Sequence, residues 1–176
     1  MKNLVFINGT MGAGKTAVSK YLRDLLVPSA FLDGDWCWDM SPFVVTQETK
    51  EMVQENIVSV LNRFLRCSVY QNIIFCWVMQ YDSIAEDLLC RLDLDGVRVF
   101  RFTLEVSEPV LRERLERDVC DGIRTEDVIE RSIARLSLYQ NMNTVKINTD
   151  CLTAEEVARK IAAQILNGTE RGCKML

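Results

Sequence analysis

The chain has 176 residues, 48% of them apolar and 26% charged, and a net charge of −4; this is the make-up of one globular domain with a core of its own. Such a balance excludes a basic field for a nucleic-acid polymer. No stretch reaches the ~20 apolar residues of a membrane helix, and the apolar run near the start is too short for an export signal. There is no histidine, which excludes Ser-His-Asp and Cys-His catalysis and makes a carboxylate the first choice of general base. The seven cysteines are scattered and none forms a C-x-x-C pair, which reads as reduced thiols in the cytoplasm.

The first element is the apolar strand Leu4-Val5-Phe6-Ile7. It runs into Asn8-Gly9-Thr10-Met11-Gly12-Ala13-Gly14-Lys15-Thr16, a complete G-x-x-x-x-G-K-[ST] phosphate-binding loop. A helix follows, on which Val18, Tyr21, Leu22, Leu25 and Leu26 recur at the spacing of one face. After Pro28, residues 30–32 form a short second strand ending in Asp33-Gly34-Asp35. An irregular stretch rich in aromatics and sulfur comes next, with Trp36, Cys37, Trp38, Met40 and Phe43. Helical period resumes near Glu48, with Met52, Val53, Ile57, Val60, Leu61, Phe64 and Leu65 on one face.

Residues 73–79 are an unbroken apolar run, expected of a central parallel strand covered on both sides. A helix over 83–92 and a turn at Asp95-Gly96 lead to a fourth strand, 97–106. Ser107 is placed to cap the next helix, with Pro109 in its first turn and Leu111 and Leu115 inward. Asp121-Gly122 breaks it. One further helix is expected from about 125 to 140, a fifth strand at 144–147, and a last helix opened by the capping box Thr153-Ala154-Glu155-Glu156. The tail from 168 is expected to fray. Alternating strands and helices predict one α/β domain over 1–176, with a parallel sheet and right-handed crossovers. Ligands then belong at the carboxyl ends of the strands.

At that rim the loop backbone can cradle phosphates, Lys15 can reach the β- and γ-phosphates, and the Thr16 hydroxyl can join Mg²⁺. Asp33 and Asp35 share the rim. Asp35 is the candidate base and Asp33 the acid linked to the metal, unless both are solvated acids of an ordinary turn. Trp36 and Trp38 beside them either line a pocket for a ring-bearing acceptor or plug the core. Six arginines, Arg112 to Arg135, fall within 24 residues. Bracketing a Gly122 loop they suit a lid over about 117–126; alternatively they form a solvated face paired with Glu113, Glu116, Asp118 and Glu130. The third strand ends without the aspartate that often orders Mg²⁺, and the nearest acid is Asp82.

The whole set resembles the P-loop small-molecule kinases of the nucleoside/nucleotide kinase superfamily, such as shikimate and gluconate kinases, adenylyl-sulfate kinases and chloramphenicol phosphotransferases. The resemblance rests on Gly9-x-x-Gly12-x-Gly14-Lys15-Thr16, Leu32-Asp33-Gly34-Asp35, Arg114-Leu115-x-Arg117 before the lid, and Ile147-Asn148-Thr149-Asp150. It implies a three-layer P-loop fold with a five-stranded parallel sheet in the order 2-3-1-4-5. It implies ATP and Mg²⁺ on Gly9, Gly12, Ala13, Gly14, Lys15, Thr16 and Ala17, and adenine between Arg114 and the Thr149 loop. Asp35 then meets a small acceptor's hydroxyl, and Arg117 and Arg124 act from the lid. The acceptor does not carry over from the family; from their positions in the sequence, Arg131 and Arg135 are expected to join Asp33, Trp36 and Trp38 around it. A different class stays open: an ATPase or a nucleotide-binding regulator, with Gln80 orienting a water. The N-K-x-D guanine motif of a GTPase switch is absent from the sequence.

Overall fold

In the computed structural model, residues 1–168 and 173–174 are described. Five parallel strands, β1 (Lys2–Asn8), β2 (Ser29–Asp33), β3 (Asn72–Cys76), β4 (Val97–Glu105) and β5 (Val145–Asn148), lie in the order β2-β3-β1-β4-β5. The helices are α1 (Lys15–Leu25), α2 (Gln47–Arg66), α3 (Asp82–Cys90), α4 (Glu108–Cys120), α5 (Asp127–Ile133), α6 (Leu136–Gln140) and α7 (Ala154–Leu166). The expected frayed tail lies mostly outside the described residues; within it, β6 (Cys173–Lys174) pairs antiparallel to β4.

The strands are apolar on both sides because each side is covered. Val5, Ile7, Ile74, Phe100 and Phe102 pack with α1, α4 and α7 on one face. Leu4, Phe6, Ile73, Phe75 and Val99 pack with α2 and α3 on the other. Both layers follow from the period-two alternation of side chains. Twenty residues of α2 span about 30 Å, against about 17 Å for a five-residue strand. The first turns of α2, capped by Thr46 through a box with Thr49, therefore overhang the sheet's carboxyl rim.

The sequence reading needs four corrections. β3 stops at Cys76, three residues short of the apolar run. Its neighbour β2 ends at Asp33, the register partner of Cys76, and the Trp77 N–H turns to the Ile7 carbonyl at 3.2 Å. Met79 is 1% exposed and Trp77 is partly buried against the α2 and α3 side, so apolar side chains are used here by a loop and not by a strand. The single helix over 125–140 is two: the Ser132 carbonyl takes the Arg135 N–H and also the Thr10 hydroxyl at 2.9 Å, and the chain bends there. On α1, Val18, Leu22 and Leu26 are buried while Tyr21 and Leu25 are exposed. On α2, Met52 is likewise exposed. The remaining boundaries differ by a residue or two.

Candidate functional site

The phosphate loop joins β1 to α1. Gly14 stands at the helix N-cap with φ 91°, makes no side-chain cap, and has no acidic residue in the turn that follows. The first N–H groups of α1 thus point unpaired toward the place an anion would occupy. Gly12, with φ 82°, serves a second purpose: a β-carbon there would stand 2.8 Å from Leu111 and 2.9 Å from Leu115. The loop is therefore seated directly on α4. Gly9 and Ala13 are buried beneath it.

Lys15 is also buried, its Nζ donating to the Thr10 carbonyl at 3.0 Å. Burial pushes its ammonium below the usual lysine range, against the pull of Cys76, Asp35 and Asp33. The Thr16 hydroxyl donates to Asp33 Oδ2 at 2.6 Å, and the other oxygen of Asp33 accepts the Asp35 N–H at 3.1 Å. Asp33 thus caps the 3-10 turn Gly34–Trp38 and links it to α1. The carboxyl of Asp35 is raised above the usual range, first by desolvation and then by the Asp33 charge; Lys15, Trp77 and Arg124 pull it back down. Burial pushes the Cys76 thiol up to about 12, so it is an inert floor and not a nucleophile.

These groups open into a pocket of about 320 Å³, lined by Met11, Gly12, Gly14, Lys15, Thr16, Ala17, Asp35, Arg114, Arg117, Asp118 and Arg124. Arg114 is pinned behind it, donating to the Thr149 hydroxyl at 3.2 Å and carbonyl at 2.8 Å. Thr149 is fixed in turn on the Glu105 carbonyl. Arg124 reaches in from the segment between α4 and α5, paired with Asp118 at 2.9 Å and touching the Met11 sulfur at 3.4 Å. Arg117 is more exposed and paired with Glu113 at 2.9 Å. A larger cavity, about 500 Å³, lies between β4, the start of α4 and α6. It meets the phosphate loop only at Thr10 and contains neither Lys15 nor Asp35.

Other expected residues fall elsewhere. Trp36 packs edge-on against Phe31, ring centroids 5.2 Å apart, on the α1 side of the sheet. Trp38 joins the α2 and α3 side and meets Phe43 at 5.8 Å. The two tryptophans therefore do not form one wall. Arg131 is paired with Asp127 at 3.2 Å, Arg135 precedes α6 near Tyr139, and neither lines the pocket. Asp82 is tied to the buried Arg101 and receives the Asn143 N–H, so it does not serve the phosphate loop. The sequence reading missed Trp77, whose ring lies against Gly34; the sign of it was the lack of an acid at the end of β3.

A family model described as AAA domain matches residues 5–133. The chain belongs to the AAA domain family. No curated protein matches this AAA domain significantly, but solved structures do. The tunicamycin resistance protein of Deinococcus radiodurans is 25% identical, over 94% of this chain and 96% of that one, with a TM-score of 0.66. Shikimate kinase from Acinetobacter baumannii, in complex with shikimate, is 22% identical over 96% and 95%, with a TM-score of 0.65. The APS kinase of Mycobacterium tuberculosis, in complex with AMPPNP and APS, is 16% identical over 94% and 98%, with a TM-score of 0.65. This AAA domain thus has the fold of the P-loop small-molecule kinases. No helix among its described residues is long and apolar enough to cross a membrane.

Proposed function

We propose that this AAA domain is a phosphotransferase that moves the γ-phosphate of ATP to a hydroxyl of a small acceptor: a nucleoside or nucleotide, a sugar acid or an aromatic alcohol. The observation that carries the reading is the acid pair on one turn. Asp33 is bonded to the Thr16 hydroxyl, and Asp35 faces the same pocket as Lys15 and Arg124. With Asp33 engaged by Thr16, Asp35 is left to take a proton from an acceptor hydroxyl, and the exposed Trp36 and Phe43 lie on the segment that follows it.

The α1 N-terminus and Lys15 would hold the phosphates, with Arg114 on the adenine face. Mg²⁺ suits the hard oxygens of Thr16 and Asp33, where it would neutralise phosphate charge. Asp35 accepts the hydroxyl proton as the acceptor oxygen bonds to phosphorus and the bond to the leaving ADP breaks. Its raised affinity for protons suits that task. Arg124, already beside Met11, is placed to offset charge on the transferring group, and Arg117 would join it by leaving Glu113. The described cysteines are all free, which fits a reducing cytoplasm.

The test measures ADP release from ATP with and without nucleosides, sugar acids and aromatic alcohols. Acceptor-dependent turnover supports the reading; one rate in every tube favours an ATPase. Asp35→Asn should lower kcat by about 10²- to 10⁴-fold with little change in the KM for ATP. An unchanged kcat removes Asp35 as the base.

A further inference from the structure

At the exit of β3, where the acid is missing, Trp77 takes the place. Its backbone is held by β1 through the Ile7 carbonyl, and its ring joins the α2 and α3 side of the core beside Phe75, with centroids 6.5 Å apart. The ring lies directly on Gly34. A β-carbon at Gly34 would stand 2.5 Å from Trp77 Cγ and 2.6 Å from Cδ1, far inside van der Waals contact, so only glycine fits beneath the indole. The next residue is Asp35, which lines the phosphate-loop pocket, and the nearby indole draws the proton affinity of its carboxyl down. Asp35 is otherwise fixed only through its backbone N–H, by Asp33. It stands on a short 3-10 turn, a form with little rigidity of its own.

We propose that Trp77 is a positioning residue for Asp35: its ring seats the Gly34–Trp38 turn on the end of β3, and its N–H orients the carboxylate toward the acceptor. The glycine of Asp33-Gly34-Asp35 and the tryptophan 43 residues later are then two halves of one fitting. The catalytic consequence rests on the phosphotransfer reading; the fitting itself does not.

The experiment has a part for each. In ¹H–¹⁵N spectra of the full chain, with the three indole signals assigned in the wild type, Asp35→Ala should move the Trp77 indole proton upfield. A signal that stays in place overturns the proposal. With an acceptor that turns over, Trp77→Phe keeps a ring but loses the donor. It should lower kcat by up to about 10²-fold, the effect of an ångström of misplacement, with the KM for ATP unchanged. Gly34→Ala keeps the donor but denies the ring its seat, should act the same way, and replaces Trp77→Phe if that variant does not fold. Wild-type kcat in the variants overturns the positioning role and leaves phosphotransfer standing. If the wild type shows no acceptor-dependent turnover, phosphotransfer falls, and the indole shift alone decides whether Trp77 holds Asp35.

Discussion

Lys15 sits inside the protein, 8% exposed, with its ammonium waiting on the Thr10 carbonyl. Its proton affinity is lowered in the fold by burial, and the attraction of Cys76, Asp35 and Asp33 is already counted in that net. Between the lowered folded value and the ordinary lysine value of 10.5, the unfolded chain binds the proton and the folded one does not. Stability therefore rises with pH across that window, and at neutral pH the charged amine is a cost. Lys15→Met keeps the length and removes the charge, while the Thr10 carbonyl retains the Ala13 N–H at 3.2 Å. The empty variant should gain about 1–2 kcal/mol, a part of the several that a buried ion costs. For a domain of this size that raises Tm by roughly 2–8 °C.

Nucleotide reverses the order. A phosphate charge about 4 Å away at an effective dielectric of about 20 contributes about 4 kcal/mol, near 10³-fold in affinity. ATP at 100 times its Kd, which stabilises the wild type by about 2.7 kcal/mol, should leave the variant almost unmoved. Thermal melts in EDTA, then with ATP and Mg²⁺, read both effects, and melts toward pH 10 should rise for the wild type only. An empty variant that melts below the wild type refutes the electrostatic reasoning, as do equal ATP shifts.

Gly12→Ala forces a side chain to φ 82° and into Leu111 and Leu115; left-handed strain and overpacking should together cost about 2–4 kcal/mol, read as a lower urea midpoint. Arg114→Ala should weaken ATP binding about fivefold, the loss of about 1 kcal/mol of guanidinium–ring contact, with kcat unchanged; calorimetry and steady-state kinetics separate the two. Asp82→Asn leaves the buried Arg101 with only Glu86, 4.0 Å away, and should cost about 3 kcal/mol. An unchanged melting temperature would show that the pair adds nothing to the fold.

The strands and the phosphate loop were legible in the sequence because both are written locally, in short apolar runs and in glycine spacing, while the strand order followed from the resemblance to P-loop kinases. What was not legible depends on contacts between distant residues. The bend between α5 and α6 comes from the Thr10 hydroxyl, more than a hundred residues away, taking a helix carbonyl. Residues 77–79 are as apolar as a strand, with Met79 buried and Trp77 and Val78 half-buried, and burial alone does not set the backbone path. Trp36 and Trp38 look like one aromatic group in the sequence, yet the 3-10 turn sends them to opposite sides of the sheet. Of the arginines, Arg114, Arg117 and Arg124 reach the pocket, while Arg131 is held by an acid on its own helix; spacing does not distinguish these fates. Trp77 was visible only as an acid that was not there.

The cover over this site is small. α4 ends at Cys120 and α5 begins at Asp127, so if the domain is a phosphotransferase, as proposed, six residues would have to cover the bound phosphate. Even fully stretched they would reach about 20 Å, and here the Ile123 and Arg124 N–H groups both fold back to the Asp118 carbonyl. Such a segment can shield a phosphoryl group but not the acceptor beside it. On the phosphotransfer proposal, the acceptor would have to act as its own stopper, with its body keeping solvent from the reacting atoms. An acceptor that fits loosely lets water compete, and ATP is hydrolysed instead of used. The share of phosphate lost to water would therefore grade candidate acceptors by fit, ranking them even where their rates are alike.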